Sequence, residues 1–223
     1  FLKEVIEKGV KAIVINRVKQ NLVPPNYPYW AVSDTKEAFL NLALHKRRKL
    51  NIPVIAITGS VGKTTTKEMT AEILKGFGRI QTSEKNNNNE FGVGLTIHSA
   101  DKSHKALVLE MGMRGKGQIE TLSKFSEPNI AVITNIGSSH IGLLGSRQNI
   151  ALAKCEITRY LDPNGIVIIP EGDPLLDQTL KGCWMGKIIR VKIIDIKEKN
   201  QFKFKNEKYL LGIYDKSKNN IEI

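Results

Sequence analysis

The stretch that most constrains this chain is Val54-Ile55-Ala56-Ile57-Thr58-Gly59-Ser60-Val61-Gly62-Lys63-Thr64-Thr65-Thr66. Five apolar or β-branched residues run into a turn bounded by glycines. A helical pattern of Thr66, Met69, Thr70, Ile73, Leu74 and Phe77 begins directly beyond it. Strand, loop and helix in that order aim successive backbone N–H groups and the positive end of a helix dipole at one spot, which suits a polyphosphate. Gly59, Ser60, Val61, Gly62, Lys63, Thr64 and Thr65 are therefore read as a phosphate-binding loop. Lys63 would reach the β- and γ-phosphates, and the Thr64 hydroxyl would hold Mg²⁺. The match is to the short Gly-x-x-Gly-Lys-Thr form, because Ile57 stands where the longer pattern has glycine. An ordinary strand-to-helix turn with a solvated lysine uses similar residues; the apolar strand before the loop and the helix after it decide for phosphate.

A chain of 223 residues with 41% hydrophobic and 25% charged residues has a globular composition and the length for one large domain or two small ones. No apolar run approaches a membrane span and the amino end carries no signal pattern, so the cytoplasm is expected. Cys155 and Cys183 lack metal-ligand spacing and read as reduced thiols. The net charge of +12 invites a nucleic-acid reading. That reading is rejected: the basic residues spread from Lys3 to Lys218, with one tight cluster at Lys46-Arg47-Arg48-Lys49, and aromatics make up only 6%. Most of these charges read as a solvated face.

In chain order, Phe1–Lys8 reads as a helix stopped by Gly9, and Val10–Ile15 as a strand. Pro24, Pro25 and Pro28 mark a loop. Ser33-Asp34-Thr35 offers caps for a helix to Leu50, with Ala38, Phe39, Leu42 and Leu44 on its apolar side. This helix is expected to join a preceding domain to the phosphate-binding core, with the boundary near residue 50. A chain that opens on Phe1 without a helix start signal is expected to be an excised piece.

Beyond the loop helix, Arg79–Thr82 reads as a short strand. The run Asn86-Asn87-Asn88-Asn89 has two even readings, a disordered loop or a polar surface for an oxygen-rich ligand. Lys105–Met113 is an apolar strand ending at Glu110. Residues at the carboxyl ends of parallel strands face the ligand crevice, so Glu110 is expected to ligate Mg²⁺. Gly115–Phe125 reads as a helix and Ile130–Ile136 as a strand, with His140 just past that strand's carboxyl end. A lone histidine is usually structural, but sharing one sheet edge with Lys63 and Glu110 favours a catalytic place. Ser146 caps a helix through Leu161 that contains Lys154, which by itself reads as a surface lysine. After the turn at Asp162-Pro163-Asn164-Gly165 and a buried strand at Gly165–Ile169, the segments Ile188–Ile194, Gln201–Lys205 and Tyr209–Tyr214 read as short antiparallel strands. The fold class is thus α/β: a mostly parallel sheet carrying a phosphate loop, flanked by helices, with a small antiparallel region near the carboxyl end.

With these residues in place the chain resembles the Mur ligase family, and within it the type that joins D-alanyl-D-alanine to a UDP-N-acetylmuramoyl tripeptide. The resemblance rests on Thr58–Met69, Asn88-Asn89-Glu90-Phe91-Gly92-Val93, Glu110-Met111-Gly112-Met113-Arg114-Gly115, Thr134–His140 and Ala153-Lys154-Cys155-Glu156-Ile157, in family order. It implies an ATP-dependent amide ligase working through an acyl phosphate. It implies that Lys63 and Thr64 bind ATP phosphate and Mg²⁺, that Glu110 binds Mg²⁺, and that His140 helps hold a second Mg²⁺. Lys154 matches a lysine often carbamylated in the family, and Asn88 and Asn89 match its polar loop near the nucleotide phosphates. Residues 1–49 resemble the tail of an amino-terminal UDP-substrate domain with a linker helix, and residues 50–223 an incomplete central ATP-binding domain. The family's carboxy-terminal domain has no counterpart here, so these residues alone are expected to bind ATP weakly and to ligate negligibly. Gly94 departs from the type's usual proline, and Val61 from a frequent asparagine. The rivals are another Mur-type ligase, a folylpolyglutamate synthase-like enzyme, and a nucleotide-binding module without ligation.

Overall fold

The computed structural model of the chain describes residues 2–85, 87–195, 209–215 and 220–222. A short helix α1 (Leu2–Glu7) leads to a two-stranded parallel sheet of β1 (Ile13–Asn16) and β2 (Tyr29–Val32), followed by the long helix α2 (Thr35–Leu50). The larger part runs β3 (Val54–Thr58), α3 (Lys63–Leu74), β4 (Arg79–Thr82), α4 (Glu90–Ser99), β5 (His104–Glu110), α5 (Gln118–Ser126) and β6 (Ile130–Ile133). It continues through α6 (Ile141–Leu144), α7 (Arg147–Cys155), β7 (Ile166–Pro170), α8 (Pro174–Lys181), β8 (Lys187–Asp195), β9 (Tyr209–Asp215) and β10 (Asn220–Glu222).

The last eight strands form one sheet in the order β10-β9-β8-β7-β6-β3-β5-β4. All neighbours pair in parallel except β9 with β10. Helices on both faces explain why β3 is buried at every position. Side chains alternate across a strand, so Val54 and Ala56 enter the main core with Leu107, Leu109, Ala131 and Ile133, while Ile55 and Ile57 join Ala71 and Val108 beneath α3. The chain leaves β3 to build β5 and β4 on one side, then returns to place β6 on the other. Such a reversal opens a crevice at the carboxyl ends of the strands beside it.

Several expectations are corrected. Ile188–Ile194 lies within a strand parallel to both β7 and β9, so among the described residues antiparallel pairing is confined to β9 and β10. Alternation of apolar residues with Lys reports a half-exposed strand and leaves its direction open; the unforeseen helix α8 supplies the crossover that a parallel neighbour needs. Gln201–Lys205 falls outside the described residues, as does Asn86. On α3 the apolar spacing held only in part: Leu74 packs against the core, but Met69 and Ile73 are 61% and 70% exposed, as is Phe77 beyond the helix at 75%, and the buried positions are Lys67 and Ala71. On α2 the inward residues are Leu40, Ala43 and Arg47, with Leu42 exposed.

Arg47 also departs from the solvated reading of its basic cluster. It is buried, and its guanidinium donates to the carbonyls of Ser126 and Glu127 and to Asn129 Oδ1 at 2.9–3.0 Å, closing the carboxyl end of α5. Desolvation lowers its pKa, opposed by the nearby Glu127 and Asp162 carboxylates.

Candidate functional site

The loop between β3 and α3 owes its shape to two glycines and to residues that follow β6. At Gly59 (φ +155°) a Cβ would lie 1.8 Å from Thr134 Oγ1, so only hydrogen fits. Gly62 takes the left-handed conformation that starts α3. Thr134 Oγ1 donates to the Val61 carbonyl at 2.6 Å, and Asn135 Nδ2 donates to the same oxygen at 3.1 Å. Asn135 Oδ1 accepts from the Ser60 and Val61 amides, and Ser60 Oγ accepts from the Gly137 amide at 2.8 Å. Val61 therefore shapes the loop through its backbone, and Ser60 through both its backbone and its hydroxyl. The N–H groups of Lys63, Thr64 and Thr65, in the first turn of α3, have no partner within their own helix.

Lys63 folds back across the loop, donating to the Gly59 carbonyl at 3.0 Å. Thr64 Oγ1 donates to Glu110 Oε2 at 2.8 Å, and Glu110 Oε1 accepts from Asn88 Nδ2 at 2.9 Å. Glu110 is only 1% exposed, so its carboxylate orientation is set by these two partners and by its strand. Asn89 caps α4 by accepting from the Gly92 amide at 2.9 Å. Asn88 and Asn89 thus form an ordered polar edge.

A cleft of about 540 Å³ lies at this sheet edge, with Gly59, Lys63, Asn88, Asn89, His140 and Lys154 on its walls. Expected residues from four separate motifs line it, while Thr64 and Glu110 are not among its walls and connect to it through Asn88. His140 is exposed and adopts φ +66° at the start of α6. Lys154 is not the surface lysine expected from its helix: it is 2% exposed, and burial first, then the positive charge of Lys63, lowers its pKa to about 8.

The donor set fits a small hard cation. A hydroxyl and a carboxylate oxygen already face each other, and among the described residues no group of three or more His, Cys, Asp or Glu forms a cage. A cation held by one or two protein oxygens and completed by phosphate oxygens and water is the Mg²⁺ pattern.

Sequence reasoning missed several residues around the cleft. Asn135 and Thr134 had no assigned role, although their place one and two residues past β6, opposite the loop, was the available signal. Glu156 closes the amino end of α5 from another element, accepting from the Gly117 and Glu120 amides at 2.8 and 3.3 Å. Its carboxyl pKa is raised by burial. Lys67, within the Thr58–Met69 stretch, had no assigned role.

A parallel sheet with a phosphate-type loop and an acid on the neighbouring strand end defines a nucleotide-binding α/β domain of the P-loop class. Residues 57–219 match the Mur ligase middle domain, and the chain belongs to the Mur ligase family. It is 40% identical over 189 residues to a UDP-N-acetylmuramoyl-tripeptide–D-alanyl-D-alanine ligase of Synechocystis sp., covering 85% of this chain and 41% of that protein. It is 42% identical over 176 residues to the Bacillus subtilis protein of the same name, covering 79% and 38%. A crystal structure of MurF ligase from Thermotoga maritima in complex with ADP is similar, with TM-score 0.77, 30% identity, and coverage of 86% of this chain and 43% of that one. The chain thus spans about two fifths of the length of these relatives. Among the described residues no helix is long and apolar enough to cross a membrane.

Proposed function

We propose that this chain is the ATP-binding core of a cytoplasmic amide ligase of peptidoglycan precursor synthesis, adding D-alanyl-D-alanine to UDP-N-acetylmuramoyl tripeptide. The observation that carries the reading is the convergence of Lys63, His140 and Lys154 on one cleft, backed by the Thr64–Glu110 pair. The identity to proteins of that name supports the choice of substrates. Residues 1–49 are assigned to the tail of a UDP-substrate domain and its linker helix, and residues 50–223 to the central domain.

The chemistry to be served is activation of a carboxylate, which resists amines because oxide is a poor leaving group. Transfer of the γ-phosphoryl group of ATP gives an acyl phosphate; the incoming amine attacks its carbonyl carbon, and phosphate leaves from the tetrahedral intermediate. The protein's part is positioning and charge neutralisation. The N–H groups of Lys63 to Thr65 and the Lys63 ammonium receive the β- and γ-phosphates. Thr64 and Glu110 would hold Mg²⁺, and His140 stands on the side suited to a second ion. The metal supplies neutralisation of the phosphate oxygens as charge shifts during transfer.

Lys154 has a separate task. A buried amine beside another ammonium loses its proton more readily, and the free amine is the form that adds CO₂, releasing a proton to solvent. The resulting carbamate is an anion facing Lys63, where an unmodified ammonium would be repelled. Asn88 and Asn89 orient Glu110 and the start of α4 beside the phosphates.

Calorimetric titration of the chain with MgATP, alongside Lys63→Ala, tests the site. Weak but saturable binding that falls at least tenfold in the variant is expected, because one charged donor to phosphate is worth on the order of 1.5–3 kcal/mol. Equal binding by both proteins would overturn the assignment. Ligation of D-alanyl-D-alanine by these 223 residues alone is expected to be negligible.

A further inference from the structure

Lys67 is the largest fully buried side chain in the described structure that the proposed chemistry does not use. It lies on α3 one turn beyond Thr64 and is 0% exposed, on the face turned towards β5 and the segment after β4. The ammonium donates to the Ser83 carbonyl at 2.6 Å and to the Lys85 carbonyl at 3.5 Å, and it pairs with Glu68 Oε1 at 2.8 Å. Two of these are backbone oxygens of one short segment, and the third belongs to a largely exposed acid. Burying an ammonium is costly, and an apolar side chain of the same length would fill the space with less desolvation. Packing alone does not account for a lysine here.

The segment it grips leads directly to the candidate metal site. Ser83 is fixed at three points: its amide donates to the Val108 carbonyl, its Oγ accepts from the Glu110 amide at 3.3 Å, and its carbonyl accepts from Lys67. Five residues on, Asn88 receives the Gly112 amide on its carbonyl at 2.8 Å and donates its Nδ2 to Glu110 Oε1. Thr64, on the same helix face as Lys67, donates to the other oxygen of that carboxylate. Both oxygens of Glu110 are therefore oriented by groups on either side of the Lys67 contacts: Thr64 on α3, and Asn88 on the chain that follows Ser83 and Lys85.

We propose that Lys67 is a positioning residue for the metal site, pinning Ser83 and Lys85 to the phosphate-loop helix so that Asn88 and Thr64 hold Glu110 in the orientation that receives Mg²⁺. This rests on the nucleotide-site reading above, and the experiment separates the two. Lys67→Met keeps the length and apolar stem but removes every donor. Nucleotide binding by native and variant chains is measured with ADP in EDTA and over a Mg²⁺ titration. In parallel, amide hydrogen exchange is followed at Glu110 and Gly112, with Met111, bonded to the Ile57 carbonyl, as internal reference.

The variant is expected to bind metal-free ADP within twofold of the native chain, yet to need about tenfold more Mg²⁺ for the metal-dependent gain in affinity. Exchange at Glu110 and Gly112 is expected to rise at least tenfold, with Met111 unchanged. An unaltered Mg²⁺ midpoint, or equal loss of metal-free and metal-bound affinity, overturns the proposal, the latter because it is what general unfolding of the loop would give. Unchanged exchange at both amides also overturns it. If Lys67→Met fails to fold, Lys67→Gln, which retains one donor group, is measured the same way and is expected to fall between native values and those predicted for methionine; native-like values refute the role. A native chain that binds no nucleotide at all would retire the site assignment, while the exchange data would still decide whether Lys67 orders the segment.

Discussion

Replacing Lys154 with methionine should make the protein more stable. The depression of the Lys154 pKa from 10.5 to about 8 means the folded state holds its ammonium at a cost of about 3 kcal/mol relative to the unfolded chain. Methionine occupies a similar unbranched volume without the charge. Below pH 8 both folded and unfolded native chains are protonated, and the whole cost is present. Between pH 8 and 10.5 the folded state loses its proton first, so native stability climbs with pH. Above 10.5 neither state is charged and the cost is gone. Urea unfolding of native and Lys154→Met chains in CO₂-free buffer, at half-unit steps from pH 6.5 to 10.5, should show the variant ahead by about 2–3 kcal/mol at pH 7 and the gap closing across the upper window. A gap that stays constant with pH would refute the claim that Lys154 is a desolvated amine. Dissolved CO₂ should narrow the gap at pH 7–8, since the carbamate no longer faces Lys63 as a like charge.

Three further outcomes follow from the geometry. Gly59→Ala would drive a methyl group into Thr134, with backbone atoms as well as Oγ1 in the way; a loss of roughly 1–3 kcal/mol in thermal or urea unfolding is expected, together with loss of nucleotide binding. Thr64→Val and Glu110→Gln each remove one oxygen of the facing pair, and each should raise the Mg²⁺ needed for half-maximal metal-dependent binding by about tenfold or more, read by calorimetry. The nearby Cys183 thiol, and then burial, raise the Cys155 pKa, while the neighbouring Cys155 lowers that of Cys183. Brief alkylation with iodoacetamide at pH 7, followed by peptide mass spectrometry, should therefore label Cys183 and spare Cys155 until the protein is unfolded.

Much of the site could be read from residues because its chemistry depends on local order. The β3 strand, the loop and α3 form one contiguous signal, and Glu110 at the end of an apolar run announces a strand-end acid. Features that depend on what packs from elsewhere were hidden. Helix α4 was missed because Gly92 and Gly94 weaken a helix interior. In the structure a Cβ at Gly92 would meet the Asn87 backbone at 2.5 Å, and one at Gly94 the Phe39 ring at 2.4 Å, so these glycines serve close packing against the asparagine edge and α2. The burial of Lys67 and Lys154 was invisible for a related reason. Helical periodicity treats lysine as outward-facing, whereas here carbonyls of residues 83 and 85, and the neighbouring phosphate-loop lysine, define what each amine meets. The parallel direction of β8 required α8, whose eight residues opening on Asp173 and Pro174 carried too short a pattern to stand out.

The account is tested most directly by a crystal structure of the chain with Mn²⁺ and a non-hydrolysable ATP analogue, located by the anomalous signal of the metal. The prediction is a metal within about 2.2 Å of Thr64 Oγ1 and near the Glu110 carboxylate, with the terminal phosphate against Lys63 on the side facing His140 and Lys154. Phosphates bound away from the first turn of α3, or a metal with neither Thr64 nor Glu110 in reach, would contradict it.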